Sequence, residues 1–179
     1  MLEGRFVLDR QTRVEFAPGA PVESLAASFV SLLARTGGPQ LAAPSPMRQS
    51  ECGACIRFEL SAGGGEAGEE GYSLHISPQR IVVRATHPRG LFYGGVSLWQ
   101  VITTVQRSAD AWLLPALAIE DAPRFRWRGL MLDVARHYMP PQFIKRLLDE
   151  MALHKLNTFL LAASPTTRAG GCRFAGTRI

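Results

Sequence analysis

Residues 119–159 read IEDAPRFRWRGLMLDVARHYMPPQFIKRLLDEMALHKLNTF, and this stretch decides the fold. The apolar run from Trp127 to Asp133 predicts a strand buried in a parallel sheet. Pro140-Pro141 predicts the start of a helix, where a missing N–H costs nothing. Lys155 to Phe159 leads into a second strand. Strand, helix and strand in this order predict a βαβ unit. The apolar stripe of its helix consists of Phe143, Ile144, Leu147, Leu148, Met151 and Ala152.

Specific residue types at specific positions of this stretch form a pattern. Its members are Asp121, Pro123, Arg124, Phe125, Trp127, Arg128, Gly129, Leu132, Asp133, Arg136, Met151, Ala152, Lys155, Leu156 and Asn157. Together they resemble the start of the catalytic domain in glycoside hydrolase family 20, the β-N-acetylhexosaminidases. The resemblance implies that residues 119–159 begin a (β/α)8 barrel, also called a TIM barrel.

Upstream, two short apolar segments predict a hairpin. Tyr72 to Ile76 and Ile81 to Val83 alternate with period two around a turn at residues 77–79. Residues 86–106 predict a turn and a helix, in which Gly90, Gly94 and Gly95 allow close packing on a sheet. This segment also resembles family 20, whose small α/β domain precedes the barrel and contains a similar Gly-Leu-Phe-Tyr-Gly sequence.

The remaining front segments complete the predicted small domain. Strands are expected at residues 5–9, 13–16 and 56–60, and an amphipathic helix at residues 22–34. Residues 109–118 are expected to lead towards the barrel, which places the domain boundary near residue 118. The predicted fold class is therefore α/β: an α+β front domain over residues 1–118, then the first β-α-β unit of a truncated barrel over residues 119–159.

Length and charge limit the possible functions. The chain has 179 residues, of which 46% are hydrophobic, whereas a complete barrel takes about 250. The net charge of +5 comes from scattered arginines without a basic run or recognition motif, so no nucleic-acid partner is predicted. No apolar run spans a bilayer, and no membrane partner is predicted. The first residues lack the pattern of a signal peptide. Localisation stays open, although family members are often periplasmic or secreted.

Two cysteines have a spacing that can carry chemistry. Cys52-Gly-Ala-Cys55 has the spacing of a redox pair or of half a zinc site. A zinc site needs two more ligands at matching spacing, and the sequence offers none. We therefore expect two thiols beside a strand, with neither a metal site nor a redox role.

The sequence contains two pairs of an adjacent Asp and Glu, and neither is predicted to be a catalytic dyad. Asp149-Glu150 lies in the middle of the predicted helix, on its charged face. Glu120-Asp121 precedes the first barrel strand, at the end of the barrel where active sites are not built. The family resemblance implies an adjacent Asp-Glu pair on a later strand, so no catalytic residue is assigned to this chain.

Arg136 is the candidate substrate-binding residue. It follows Asp133 at the carboxyl end of the first strand, the face where barrel active sites are built. Its fork of N–H donors suits two neighbouring hydroxyls of a sugar. The corresponding arginine of the family holds the terminal sugar, and the resemblance implies the same role here. Asp133 and His137 are expected to support it. The alternative is a loop arginine paired with Asp133 for structure.

The resemblance also implies a reaction. Family members remove terminal N-acetylglucosamine or N-acetylgalactosamine with retention of configuration. A Glu acts as general acid/base, and the substrate's acetamido oxygen, positioned by an Asp, is the nucleophile. The expected partners are glycans containing N-acetylhexosamine or chitooligosaccharides, and no cofactor is implied.

The last twenty residues, from about residue 160, predict an out-of-frame tail. Ser164 to Cys172 can be encoded by TCA CCG ACG ACC AGG GCT GGC GGC TGC. With a C in front and the frame moved by one base, this DNA encodes Leu-Thr-Asp-Asp-Gln-Gly-Trp-Arg-Leu, which resembles the family motif after the second barrel strand. We expect a frameshift there.

Two functional hypotheses follow from the sequence. The first is a hexosaminidase fragment that is inactive and poorly soluble, because a lone βα unit leaves strand edges and an apolar helix stripe uncovered. The second is a non-catalytic module in which the front α/β domain serves protein or glycan contact.

Overall fold

In a computed structural model, the chain is described at residues 3–47, 52–61, 68–105, 107–108, 110–163 and 173–178. These residues belong to two units, Met1–Pro123 and Arg124–Ile179. Unit 1 contains the strands β1 (Arg5–Leu8), β2 (Arg13–Phe16), β3 (Ser45–Pro46), β4 (Cys55–Leu60), β5 (Tyr72–Ile76), β6 (Arg80–Ala85), β7 (Arg107–Ser108), β8 (Ala111–Pro115) and β9 (Leu117–Asp121), with the helices α1 (Ala20–Arg35) and α2 (Pro88–Thr104). Unit 2 contains β10 (Gly129–Asp133), α3 (Pro141–Leu153), β11 (Thr158–Ala163) and β12 (Arg173–Arg178).

The main sheet of unit 1 has the order β3-β2-β4-β6-β5-β9. The strands β3, β2, β4 and β6 run parallel, whereas β5 is antiparallel to both β6 and β9. The predicted hairpin is confirmed, with Ile76 opposite Ile81 and the Ser77 N–H donating to the Arg80 carbonyl at 2.9 Å. A second, antiparallel sheet has the order β1-β8-β7.

The core of unit 1 forms because the apolar positions of the main sheet meet both helices. Phe29 of α1 and Phe58 of β4 lie with their ring centroids 5.3 Å apart. Leu91 and Leu98 of α2 are fully buried in the same cluster. Burial of this apolar face is the main stabilising contribution to the unit.

The glycines of α2 set how closely that helix approaches the sheet. A Cβ at Gly94 would lie 2.5 Å from Cγ1 of Val83, and a Cβ at Gly90 would run into the carbonyl oxygen of Gly71. Only a hydrogen fits at these two positions, which confirms the predicted close packing.

The segment expected to lead to the barrel lies inside unit 1 instead. Residues 109–118 were predicted as a connection, but β8 pairs with β1, and β9 is an edge strand of the main sheet. The chain therefore leaves unit 1 at Pro123 rather than near residue 118. The reason is tertiary, because each strand finds its partner far away in the sequence.

Unit 2 has the predicted βαβ connection. The strands β10 and β11 pair in parallel, from Gly129 opposite Thr158 to Asp133 opposite Ala162, and α3 lies between them in the chain. Residues 160–163 belong to β11, and β12 pairs antiparallel with β11. The other residues of the predicted tail, 164–172 and 179, lie outside the described residues.

The predicted burial of the first barrel strand is not observed. Leu130 and Met131 of β10 are exposed, and so are Trp127 before the strand and Phe143 on α3. Within the described residues β10 has one strand neighbour, β11, so its apolar side chains stay in contact with water.

Candidate functional site at the carboxyl end of β10

The candidate site is the loop between β10 and α3. Asp133 is the last residue of β10, and residues 134–140 carry the chain to the helix, which begins at Pro141 behind Pro140. The carboxyl end of a parallel strand is the end where (β/α)8 barrels build their active sites. The structure therefore places the predicted residues at the appropriate end of the strand.

Asp133 and Arg136 lie together in this loop. The Nε atom of Arg136 is 3.7 Å from Oδ2 of Asp133, with 86% of the Arg136 side chain and 40% of the Asp133 side chain exposed. The other carboxylate oxygen, Oδ1, accepts a hydrogen bond from the Ala135 N–H at 2.9 Å. Because the ion pair is long and solvated, it adds little to stability. Asp133 thus accepts from the main chain of the loop and lies near Arg136, whose side chain stays mostly exposed.

His137 is not drawn into this arrangement. Its side chain is exposed, and it makes no hydrogen bond or ion pair with the described part of the chain. Of the three predicted residues, the structure brings two together. The supporting role of His137 stays a prediction.

Asn157 and Arg128 form a hydrogen-bonded cluster at the beginning of β10, at the opposite end of the strand from the candidate site, and the sequence alone assigned them no role of their own. Asn157 is 4% exposed, and its Oδ1 accepts from the Arg128 N–H at 3.0 Å while its Nδ2 donates to the Arg126 carbonyl at 2.9 Å. The Arg128 side chain donates to the carbonyls of Lys155 and Phe125, at 2.8 and 2.7 Å. These contacts join the beginnings of β10 and β11. The sequence signal that indicates this cluster is an Asn at the start of an apolar strand. An amide side chain buried at such a position needs hydrogen-bond partners.

Neither pair of an adjacent Asp and Glu lies in the loop between β10 and α3. Asp149 and Glu150 are exposed on α3. Asp121 accepts a hydrogen bond from the Tyr72 hydroxyl at 2.8 Å, and this hydroxyl lies 2.6 Å from Oγ of Ser97. Tyr72 therefore joins β5, α2 and the end of β9.

A separate polar cluster lies on the main sheet of unit 1. The ligand atoms of Glu15, Cys52 and Cys55 all lie within 4.8 Å of one another, and all three residues are buried. The structure joins the two cysteines as a disulfide. Glu15 also accepts from Nε of Arg57 at 3.1 Å. The cysteines lie beside β4 as expected, but the expectation of two thiols is wrong, because the structure bonds the two sulfurs to each other.

Family profiles match the two units in order. Residues 1–122 match Glycosyl hydrolase family 20, domain 2, and residues 125–166 match Glycosyl hydrolase family 20, catalytic domain. The chain belongs to glycosyl hydrolase family 20. The division between the two matches falls at the division between unit 1 and unit 2.

Individual family 20 proteins extend this result. A β-N-acetylhexosaminidase of Cellulomonas fimi is 33% identical over 159 residues, which cover 87% of this chain and 30% of that protein. An N,N'-diacetylchitobiase of Vibrio harveyi is 39% identical over 94 residues, or 52% of this chain and 10% of that protein. The crystal structure of a family 20 exo-β-N-acetylglucosaminidase from Vibrio harveyi, in complex with N-acetylglucosamine, aligns with a TM-score of 0.73 and 27% identity, over 90% of this chain and 23% of the other.

The chain spans less than a third of the length of each of these family 20 proteins. The activity of a whole family 20 enzyme is therefore a proposal for this chain.

Among the described residues, no helix has the length and apolar character of a membrane span.

Proposed function

We propose that this chain is part of a β-N-acetylhexosaminidase, which hydrolyses terminal non-reducing N-acetylhexosamine residues. The observation that carries the proposal is the order of the two family matches, domain 2 followed directly by the catalytic domain. The names of the relatives, a β-N-acetylhexosaminidase and an N,N'-diacetylchitobiase, support glycans with terminal N-acetylhexosamine or chitooligosaccharides as substrates.

In this proposal, Arg136 binds the terminal sugar. Its guanidinium is mostly exposed at the carboxyl end of β10, and Asp133 restrains it from one side through the 3.7 Å ion pair. A planar fork with several N–H donors can bind two adjacent hydroxyls at once, which a lysine cannot do in the same geometry. Asp133 acts as a positioning residue, and His137 is assigned to the same loop as a support.

The proposed reaction is the retaining, substrate-assisted hydrolysis of the family. The acetamido oxygen of the substrate attacks the anomeric carbon, an Asp positions the acetamido group, and a neighbouring Glu protonates the leaving oxygen and then activates water. Among residues 125–166, which match the catalytic domain, the adjacent Asp-Glu pair is Asp149-Glu150. That pair is exposed on α3, away from the strand ends where barrels perform catalysis. By itself, the chain is therefore expected to be inactive.

An activity assay tests this statement directly. The purified chain is incubated with a chromogenic N-acetylglucosaminide, and a full-length family 20 hexosaminidase serves as the positive control. We expect no release of chromophore above the rate of a heat-treated sample. Release that scales with the amount of chain and is abolished by Asp149→Asn would instead place catalysis on α3.

The tail interpretation belongs to the same proposal. We propose that the chain after β11 comes from a shifted reading frame, since one codon choice for Ser164–Cys172 encodes the family motif one base away. Residues 160–163 complete β11 beside β10, so the proposed shift lies after Ala163 rather than at residue 160. Sequencing the DNA across codons 155–185 and several hundred bases beyond tests this. An open frame one base over that encodes Asp-Asp-Gln-Gly-Trp and, later, an Asp-Glu pair supports the parent enzyme. Its absence favours the non-catalytic module.

A further inference from the structure

The Cys52-Gly53-Ala54-Cys55 turn is held by main-chain hydrogen bonds. Ala54 has φ 52°, in the left-handed region that side chains rarely adopt. Its N–H donates to the Gln79 carbonyl at 2.9 Å, and its carbonyl accepts from the Arg13 N–H at 3.4 Å. The Cα atoms of the two cysteines are 5.9 Å apart, within the range of disulfides. Because β2 and the hairpin turn hold the loop, the two sulfurs stay adjacent whether or not they are bonded.

The two cysteines differ in their burial. Cys52 is 6% exposed and lines an open depression of about 510 Å³ on the main sheet, together with His75, Arg80 and Arg84. Cys55 is completely buried. Its sulfur lies 4.0 Å from the Cys52 carbonyl oxygen, which can accept the S–H in the reduced form. The pair thus has one cysteine that lines a depression and one that is completely buried.

The surroundings favour disulfide chemistry over metal binding. A structural zinc site has four protein ligands, and among the described residues the cluster offers three. One of these, Glu15, already accepts from Arg57 at 3.1 Å, in an ion pair with 2% and 11% of the two side chains exposed. A bond between the two sulfurs needs no further ligand.

We propose that Cys52 and Cys55 form a reversible thiol–disulfide couple, in which Cys52 is the sulfur that exchanges with small-molecule disulfides. The Cys52 thiolate attacks one sulfur of such a disulfide, and the first small thiolate leaves. The Cys55 thiolate then attacks the Cys52 sulfur of the mixed disulfide, and the second small thiolate leaves. The chain loses two electrons and two protons, and the small disulfide becomes two thiols. This couple is independent of the proposed glycosidase function.

The experiment uses the full chain in a Cys172→Ser background, so that Cys52 and Cys55 are the remaining cysteines. The reduced protein is equilibrated with oxidised and reduced glutathione in native buffer and, in parallel, in concentrated urea. Thiol–disulfide exchange is then quenched with acid, the remaining free thiols are alkylated, and the masses of the products are measured by mass spectrometry. We expect the native sample to favour the intramolecular disulfide over mixed disulfides about tenfold more than the urea sample does, and dithiothreitol to reverse the oxidation.

Two single-cysteine variants assign the exchanging sulfur. In the same background, Cys55→Ser should accumulate a mixed disulfide between Cys52 and glutathione. Cys52→Ser should form its mixed disulfide about tenfold more slowly than Cys55→Ser in native buffer, and at the same rate as Cys55→Ser in urea. Equal native rates would overturn the assignment of Cys52. Equal disulfide fractions in native buffer and urea would overturn the couple, and so would one equivalent of zinc that stays with the reduced chain through dialysis.

Discussion

Asn157 and Arg128 join the beginnings of two strands that are separated by a whole helix. The Asn157 side chain accepts from the Arg128 N–H at 3.0 Å, and the Arg128 carbonyl accepts in turn from the Asn157 N–H at 2.8 Å. Both residues belong to the family pattern, yet neither lies at the carboxyl end of β10, where the candidate site is. Part of this pattern therefore maintains the βαβ unit rather than binding substrate.

Replacing Asn157 should destabilise unit 2. Asn157→Ala removes the partners of the Arg128 N–H and of the Arg126 carbonyl, and unsatisfied buried groups cost about 1–3 kcal/mol. Hydrogen exchange of the amides in β10 and β11 should become about 5- to 150-fold faster. His154→Ala, an exposed change just after α3, is the control and should leave these rates unaltered. Unaltered rates in Asn157→Ala as well would contradict the structural role.

The glycines of α2 offer a graded test of the close helix–sheet packing. Gly90→Ala places a methyl group against the Gly71 backbone and should cost about 1–3 kcal/mol. Gly95→Ala is the matched control, since its Cβ meets the Phe58 ring at an ordinary 3.4 Å and gains up to about 1 kcal/mol of helix propensity. Urea unfolding followed by hydrogen exchange in β6 and α2 measures both variants. Equal effects at the two positions would show that α2 lies further from the sheet.

The end of unit 1 can be tested by two truncations. A fragment of residues 1–123 keeps all of β9 and the Tyr72–Asp121 hydrogen bond, whereas a fragment of residues 1–118 lacks residues 119–121 of that strand. We expect the longer fragment to unfold cooperatively at a temperature several degrees higher, since it keeps a partly buried hydrogen bond and several ladder bonds of β9. Calorimetry of both fragments decides. A shorter fragment of equal stability would return the boundary to residue 118.

Cooperative folding of residues 1–123 would also show that the front domain folds alone. The module hypothesis requires this, whereas the hexosaminidase hypothesis does not depend on it. Glycan or protein binding by that fragment, with no hexosaminidase reading frame downstream, would favour the module.

The role of Arg136 can be tested in a version of the protein that carries the complete catalytic domain. Arg136→Ala should lower kcat/KM about 10- to 150-fold, since it removes charged hydrogen bonds worth about 1.5–3 kcal/mol. Arg136→Lys should recover little of that loss because a lysine lacks the fork. Arg146→Ala, an exposed arginine of α3, is the matched control. An Arg136→Ala enzyme with unchanged kcat/KM would leave the arginine as a loop residue paired with Asp133.

The local elements were predictable because their signals are local. Alternation over five residues is enough to identify β5 and β6, and a stripe at helical spacing behind Pro140-Pro141 is enough to identify α3. The order strand, helix, strand then implies a parallel pair. The intervening helix returns the chain to the end of the sheet at which the first strand began, so the second strand runs in the same direction. The amino-acid sequence alone therefore determined the elements with strong local periodicity, the βαβ unit and the family, but not the strands β8 and β9.

The tertiary structure decided the contacts between distant residues. It separated β1 and β2 into different sheets, although a short turn joins them, and it made β9 a strand of the front domain. It also buried Glu15 against Arg57 beside the two cysteines, whereas a Glu in a short strand is normally expected at the surface. Hydrophobic periodicity specifies which face of an element is buried, but not which distant element covers it. Pairing partners and buried polar clusters arise only when the whole chain is packed.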